Sequence, residues 1–144
     1  MTGPVTYHFL NAENARMLER ADVFDNAVDP EFLKAFVSTS GHEMIFARVD
    51  DSVIGFASGT VLLHPDKPPA FFINEVGVAE EMRRRGIAGT LCRNLIEQAR
   101  DAGCQGIWLA TEMGNKPARA LYQSLNARET GEIVVYDWDG AMDV

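Results

Sequence analysis

The residues best placed to do chemistry form a basic, glycine-containing turn, Arg83-Arg84-Arg85-Gly86-Ile87-Ala88-Gly89. This turn follows a predicted strand and opens a predicted helix. The first N–H groups of a helix lack partners within the helix, and the helix dipole adds positive charge at the same end. The small residues at Gly86, Ala88 and Gly89 would let a phosphate approach the main chain closely. The turn therefore predicts an anion site, most simply for a pyrophosphate.

A purely structural explanation of this turn stays open. A tight connection from strand to helix, with its arginines in solvent, would use the same residue types. Two better-known phosphate motifs, G-x-x-x-x-G-K-[ST] and G-x-G-x-x-G, do not occur in the chain. The turn alone is suggestive, and its interpretation depends on the residues around it.

Three further residues carry chemically useful groups. Glu75 lies in an apolar predicted strand, where a carboxylate costs free energy unless it has a partner. Alternation along a strand places its side chain on the face opposite that of Val76. Tyr122 lies on a short predicted helix, and Glu112 follows the next predicted strand. The structural alternatives are a core aromatic with a satisfied hydroxyl for Tyr122 and a solvated strand-end acid for Glu112.

The elements around these residues predict a mixed α/β fold with a largely antiparallel front half and a β-α-β unit behind it. Asp29-Pro30-Glu31 is a strong helix start, and Gly77 in mid-strand suggests a β-bulge. The predicted strands are Thr6–Leu10, Glu43–Val49, Val53–Leu63, Ala70–Val78, Gly106–Thr111 and Glu132–Trp138. The predicted helices run from Asn11 to about Arg20, from Pro30, over about Gly86–Ala102 and over Pro117–Ser124.

Composition limits the possible partners. The chain has 144 residues, which fits one domain over residues 1–144, and a net charge of -8. Such acidity argues against nucleic acid or an anionic membrane as partner, whereas it suits a cationic small molecule. Two cysteines and three scattered histidines predict no metal site. Without a recognisable secretory signal or an apolar stretch long enough to span a bilayer, a cytoplasmic protein is expected.

Two motifs together resemble the GNAT superfamily of N-acetyltransferases. Val76-Gly77-Val78, followed after four residues by Arg83-x-x-Gly86-x-Ala88, is similar to the acetyl-CoA motif of that family. Asn115-x-x-Ala118-x-x-Leu121-Tyr122 is similar to its second motif. The resemblance implies a GNAT-like, mostly antiparallel central sheet flanked by helices, in which the strand ending at Val78 and the next strand splay apart. It implies acetyl-CoA as co-substrate and no metal.

The resemblance also implies residue roles. Main-chain groups of Val76 and Val78 would pair with the pantetheine arm, and the N–H near Val78 would polarise the thioester carbonyl. Tyr122 would protonate the departing thiolate. Glu75 would hold the amine, take its proton directly or pass it through water. The implied cofactor-binding residues are Val76, Val78, Arg83, Arg84, Arg85, Gly86, Ile87, Ala88, Gly89, Thr90, Asn115, Ala118 and Tyr122.

Within the superfamily, the second half is most similar to the type I aminoglycoside 3-N-acetyltransferases. The matching pieces are Asn74–Val78, Leu121–Glu129 and Val135–Asp139. The resemblance implies that Glu75 and Glu112 bind the ammonium groups of the substrate. The chain departs from the family where Glu75 replaces the usual aspartate and Asn126 a common glycine; Ala88 is a frequent variant of the third turn glycine.

The sequence therefore predicts an acetyl-CoA-dependent N-acetyltransferase of a cationic amine, with an aminoglycoside, and hence antibiotic resistance, as the leading substrate hypothesis. The alternatives are acetylation of a small metabolic amine, an amino acid or a peptide N-terminus, and a non-catalytic acyl-CoA-binding module. Tyr136 and Trp138, which look exposed, suggest a homodimer.

Overall fold

The computed structural model describes residues 3–143. The chain divides after Glu112 into two compact units, of which the first holds the whole sheet and the second begins at Met113. Among the described residues, no helix is both long enough and apolar enough to cross a membrane.

The first unit is built on one sheet of five strands in the order β1-β2-β3-β4-β5. The first four strands pair antiparallel, and β4 pairs with β5 in parallel. This confirms the predicted mixed, mostly antiparallel α/β fold. The strands are β1 Val5–Phe9, β2 His42–Val49, β3 Ser52–Leu62, β4 Ala70–Val78 and β5 Ile107–Trp108.

Two α-helices flank the sheet where local signals predicted them. Helix α1, Pro30–Ser38, begins at Asp29, whose carboxylate accepts hydrogen bonds from the N–H groups of Glu31 and Phe32 at 2.8 and 3.2 Å. Helix α2, Ile87–Asp101, begins directly after Gly86. Its apolar stripe is buried, because a helix on a sheet hides one face and leaves the other in water.

The sheet separates two apolar cores. Phe71, Ile73, Leu91 and Leu95 belong to the core between the sheet and α2. The core on the opposite face includes Leu18, Met44, Phe46, Val53 and Phe56, with α1 residues Leu33 and Phe36 against it. We refer to these two sides of the sheet as the α2 face and the α1 face.

A β-bulge interrupts β4, but not at Gly77 as predicted. Gly77 pairs in register with Phe56, whereas the register shifts where Ser58 pairs with Glu75 and Gly59 pairs with Ile73. Asn74 is therefore the extra residue. Gly77 is needed for a different reason: a Cβ atom there would lie 2.9 Å from Cε1 of Phe56, so the site has no room for a side chain.

Strands β4 and β5 pair only briefly, which is the predicted splay. Phe71 pairs with Ile107 and Phe72 with Trp108, and the ladder ends there. Strand β5 is thus much shorter than the predicted Gly106–Thr111. From Ile73 onward, β3 pairs with β4 along one side. Within the described residues, no β5 partner pairs with the other side.

The predicted helix from Asn11 to Arg20 is wrong. Only a short 3-10 helix, Ala15–Leu18, forms there. The Asn11 side chain accepts hydrogen bonds from the N–H groups of Glu13 and Asn14, and Asn14 Nδ2 donates to the Phe9 carbonyl. These local bonds compete with regular helix formation.

The second unit contains α3, Lys116–Ser124, close to the predicted helix. The predicted strand Glu132–Trp138 is wrong: these residues are irregular and exposed, and Glu132 adopts a left-handed conformation (φ 59°). Alternating side chains favour a strand only where a neighbouring strand supplies hydrogen bonds. Tyr136 and Trp138 are indeed exposed, by 80% and 78%.

Candidate functional site

The end of β4 presents main-chain groups to an open edge. Ala79 N–H donates to the Ile54 carbonyl at 2.8 Å, so Ile54 and Ala79 form a hydrogen-bonded pair. Such pairs alternate along an antiparallel ladder, which makes Val78–Gly55 and Val76–Ala57 non-hydrogen-bonded pairs. The main-chain groups of Val76 and Val78 therefore point away from β3, toward the side that β5 leaves uncovered. An extended amide-bearing ligand could pair there as an added strand.

The basic turn begins where this edge ends. Gly86 precedes α2 in a left-handed conformation (φ 76°) that suits glycine. A Cβ atom at Gly86 would meet nothing within 4 Å, so the space in front of the turn is open. Arg84 is also left-handed (φ 64°), and all three arginines are exposed. The arrangement places the first N–H groups of α2 and three exposed arginines at one accessible turn, as an anion site requires.

Arg83 links the turn to the strand edge. Its Nε donates to the Val78 carbonyl at 3.3 Å. Its guanidinium, rather than only its main chain, thus lies where β4 ends. Because the Val78 carbonyl already accepts this hydrogen bond, the Val78 N–H is the main-chain group of that residue left to bind a ligand, and it can donate to a ligand carbonyl.

The other residues of the predicted anion site divide by burial. Ile87 and Gly89 are buried, so only their main-chain groups could meet a ligand, while Ala88 and Thr90 are half-buried. Thr90 Oγ1 donates to the Gly86 carbonyl at 3.1 Å, which supports the first turn of α2. Its hydroxyl therefore stabilises the turn.

Glu75 lies on the α1 face, opposite Ser58, the one buried polar residue recorded in the described chain. Val76 packs against the core on the α2 face. The side chains of Glu75 and Val76 therefore lie on opposite faces of the sheet, as predicted. Glu75 is an exposed residue, so its carboxylate is not buried in the apolar strand. Its pKa is raised, first by partial desolvation from neighbouring groups and second by the negative charge of Asp25. A carboxylate with a raised pKa binds protons more strongly and is a better general base.

Asp25 is a candidate site residue that the sequence did not reveal. It belongs to an irregular segment whose place is set by neighbouring residues. The Phe24 ring lies 4.4 Å from the Phe56 ring, and the Val23 carbonyl oxygen lies 3.5 Å from the position a Gly77 Cβ would take. The segment thus crosses β3 and β4 on the α1 face, which brings the Asp25 charge to Glu75. Only the local acidity of the segment could have hinted at this.

Glu112 is exposed and lies four residues beyond the end of β5. Because that strand is shorter than predicted, Glu112 does not sit at a strand end. The charged residue that raises the pKa of Glu75 is Asp25. A substrate role for Glu112 stays a prediction.

The second unit carries the other predicted residues on α3. Asn115 caps the helix, since its Oδ1 accepts from the Ala118 N–H at 3.2 Å, and its Nδ2 is the atom left to meet a ligand. Ala118 and Tyr122 are half-buried, one turn apart. Tyr122 also takes part in an interaction within the structure.

The segments aligned with sequence relatives cover most of this chain but only part of each relative's length. A mycothiol acetyltransferase of Corynebacterium urealyticum is 32% identical over 126 residues, which are 82% of this chain and 34% of that protein. An L-2,4-diaminobutyric acid acetyltransferase of Virgibacillus pantothenticus is 29% identical over 99 residues, 69% of this chain and 61% of that protein. The chain thus spans less than two thirds of the length of either relative.

Solved structures share the fold. An aminoglycoside acetyltransferase from an uncultured soil metagenomic sample, in complex with trehalose, superposes with a TM-score of 0.81 at 16% identity, covering 93% of this chain and 95% of that one. The aminoglycoside N-acetyltransferase AAC(6')-Iy, in complex with a bisubstrate analogue of CoA, has a TM-score of 0.78 at 18% identity, covering 94% and 99%.

A family model settles the relationship. The model of the Acetyltransferase (GNAT) family matches residues 8–127, which include the strand edge, the basic turn and α3. The chain therefore belongs to the Acetyltransferase (GNAT) family.

Proposed function

We propose that this protein is an N-acetyltransferase that moves an acetyl group from acetyl-CoA to the amine of a cationic small molecule. The observation that carries this proposal is the open β4 edge at Val76 and Val78, which leads directly to the anion site at Gly86. One extended ligand with amides at one end and phosphates at the other fits that sequence of groups. Family membership supports the same assignment.

The chain's own groups supply each step of the transfer. Glu75 accepts a proton from the ammonium form of the substrate, directly or through a water, which frees the nitrogen lone pair. The Val78 N–H donates to the thioester oxygen as negative charge develops there when the C–N bond forms. As the C–S bond breaks, Tyr122 gives its proton to the thiolate and the acylated nitrogen loses its surplus proton to water. Tyr122 then regains a proton from solvent, and Glu75 releases its proton to solvent. Neither Glu75 nor Tyr122 forms a covalent bond with the acetyl group.

The acceptor is a polycation, and an aminoglycoside is the form we propose. Glu75 and Asp25 place two carboxylates on one face of the sheet in a protein with a net charge of -8. Such a field attracts cations before contact. The similarity of residues 74–78, 121–129 and 135–139 to the type I 3-N-acetyltransferases supports acetylation at the 3-amino group, with drug resistance as the role. Glu112 would bind a further ammonium group.

A small diamine is the second candidate substrate. The relative that acts on L-2,4-diaminobutyric acid, as its name says, supports it, because that compound also presents two amino groups. A non-catalytic acyl-CoA-binding module is a third possibility. The match to the Acetyltransferase (GNAT) family favours an enzyme over such a module.

We further propose that the two units act as one cytoplasmic acetyltransferase domain and that the protein forms a homodimer. The family match runs through both units, which supports a single domain. The exposed Tyr136 and Trp138 support self-association, because apolar side chains at such exposure gain free energy when covered. Sedimentation of the wild type and of Tyr136→Ser/Trp138→Ser tests the dimer, and a wild-type monomer at micromolar concentration would contradict it.

Steady-state kinetics on a panel of amines tests the substrate. The panel contains gentamicin-like aminoglycosides, spermidine, 2,4-diaminobutyrate and a neutral-side-chain amino acid, at low and high salt. Polycations should have the highest kcat/KM, and their advantage should shrink at high salt because charges are screened beyond a Debye length of about 8 Å. A neutral-side-chain amino acid that outcompetes every polycation at both salts would contradict the polycation proposal. The position of the acetyl group on the product, read by NMR, tests 3-N regiochemistry.

A further inference from the structure

Arg119 ties together three parts of the second unit. Its Nε and Nη2 donate to the two carboxylate oxygens of Glu129 at 3.0 and 3.2 Å, and its Nη1 donates to the Met113 carbonyl at 3.0 Å. One guanidinium therefore holds the segment before α3, α3 itself and the segment after it. The hydrogen bond and the charge of Glu129 raise the pKa of Arg119, and the guanidinium lowers that of Glu129.

The chain after α3 turns back through a Schellman ending. Asn126 adopts a left-handed conformation (φ 65°), its N–H donates to the Gln123 carbonyl, and the Ala127 N–H donates to the Tyr122 carbonyl at 3.1 Å. The carbonyl of Tyr122 is thus bound to the segment that Glu129 anchors. Tyr122 also lies three residues beyond Arg119, which makes the two side chains neighbours on the helix surface.

We propose that Arg119 is a positioning residue for Tyr122. It fixes both flanks of α3 with a planar, two-pronged contact that a lysine could not make. A hydroxyl that must reach a departing thiolate depends on such a fixed support, because misplacement by about 1 Å can cost roughly 10²-fold in rate. The inference rests on the proposed function, in which Tyr122 protonates that thiolate.

A double-mutant cycle in kcat tests this role. Arg119→Gln should lower kcat roughly 10- to 100-fold in the wild-type background while the KM of the amine changes little. In a Tyr122→Phe background the same change should have almost no further effect, because the proton donor is already absent. Arg119→Lys and Glu129→Gln should behave in the same way, and they keep the test available if Arg119→Gln folds poorly.

Lys67→Gln is the matched control, since it breaks an exposed ion pair with Asp66 (3.2 Å) in the loop before β4. It should leave kcat unchanged. Circular dichroism and the affinity for acetyl-CoA establish that each variant is folded.

Two results would overturn the positioning role alone: an unchanged kcat in folded Arg119→Gln, or an equal fall with and without the Tyr122 hydroxyl. If Tyr122→Phe alone keeps its full kcat, the step assigned to Tyr122 in the proposed function fails first, and the positioning role fails with it.

Discussion

Glu75 lies opposite Ser58 in the β3–β4 ladder, although strict alternation from Ile73 would place it on the other face of the sheet. The bulge at Asn74 adds one residue and shifts every later side chain to the opposite face. Glu75 consequently reaches the α1 face near Asp25, while Val76 packs on the α2 face. A single inserted residue thus moves the candidate base off the α2 face, where Val76 joins the core.

The first prediction concerns Gly86. Gly86→Ala should weaken acetyl-CoA binding at least tenfold, because its methyl group would occupy the open space in front of the helix N–H groups. Gly103→Ala is the matched control: Gly103 follows α2, is also left-handed (φ 89°), and a Cβ there would also meet nothing within 4 Å. Both changes should cost about 1 kcal/mol of stability. Calorimetric titration of acetyl-CoA into each variant separates an effect on binding from an effect on stability. Equal acetyl-CoA affinities of Gly86→Ala and Gly103→Ala would contradict an anion site at Gly86.

The second prediction concerns the proton donor. Tyr122→Phe keeps the ring and deletes the hydroxyl, so kcat should fall roughly 10²- to 10⁴-fold with little change in the affinity for either substrate. Stopped-flow measurement of CoA release gives the rate. A variant that retains most of the wild-type kcat would mean that solvent protonates the thiolate and that Tyr122 is a packing residue.

The third prediction concerns pH. Glu75 must be ionised to accept a proton, so kcat/KM should fall on the acid side as Glu75 becomes protonated. Desolvation is the larger cause of the raised pKa of Glu75 and the charge of Asp25 is the second, so Asp25→Asn should move this acid limb of the pH profile part of the way to lower pH. Asp22→Asn removes the same charge from another exposed aspartate of the same segment and should leave the limb in place. A limb that does not move in Asp25→Asn would show that another group controls it.

The fourth prediction separates the two glutamates. Glu75→Gln should lower kcat because it removes the proton acceptor. Glu112→Gln should mainly raise the KM of polycationic amines, because its contribution would be equal in the ground and transition states. Kinetics of both variants on an aminoglycoside decide this. An unaltered kcat in Glu75→Gln would transfer the role of base to another residue or to water.

Features encoded by neighbouring residues could be predicted from the sequence. The cap at Asp29, the turn at Gly86 and the apolar stripe of α2 need only local hydrogen bonds and a helical repeat, and they formed where expected. Strands β2 and β3 also formed close to the predicted ranges Glu43–Val49 and Val53–Leu63, and they pair antiparallel.

Features that depend on distant partners could not be predicted. The bulge at Asn74 arises from the register with β3, and nothing in residues 70–78 marks it. Asp25 reaches Glu75 because Phe24 packs on Phe56, a contact between residues far apart in the chain. Residues 132–138 alternate like a strand, yet in the described structure no neighbouring strand pairs with them.

Acetyl transfer from acetyl-CoA to a cationic amine is the activity that we propose for this protein. Mass spectrometry of wild-type reactions with acetyl-CoA and a gentamicin-like aminoglycoside or spermidine tests it most directly, with Gly86→Ala as a weakened control. We predict a stoichiometric amount of N-acetylated amine for each CoA released, much less of it with Gly86→Ala. A folded wild-type protein that binds acetyl-CoA but yields no acetylated product from any amine on the panel would contradict the claim.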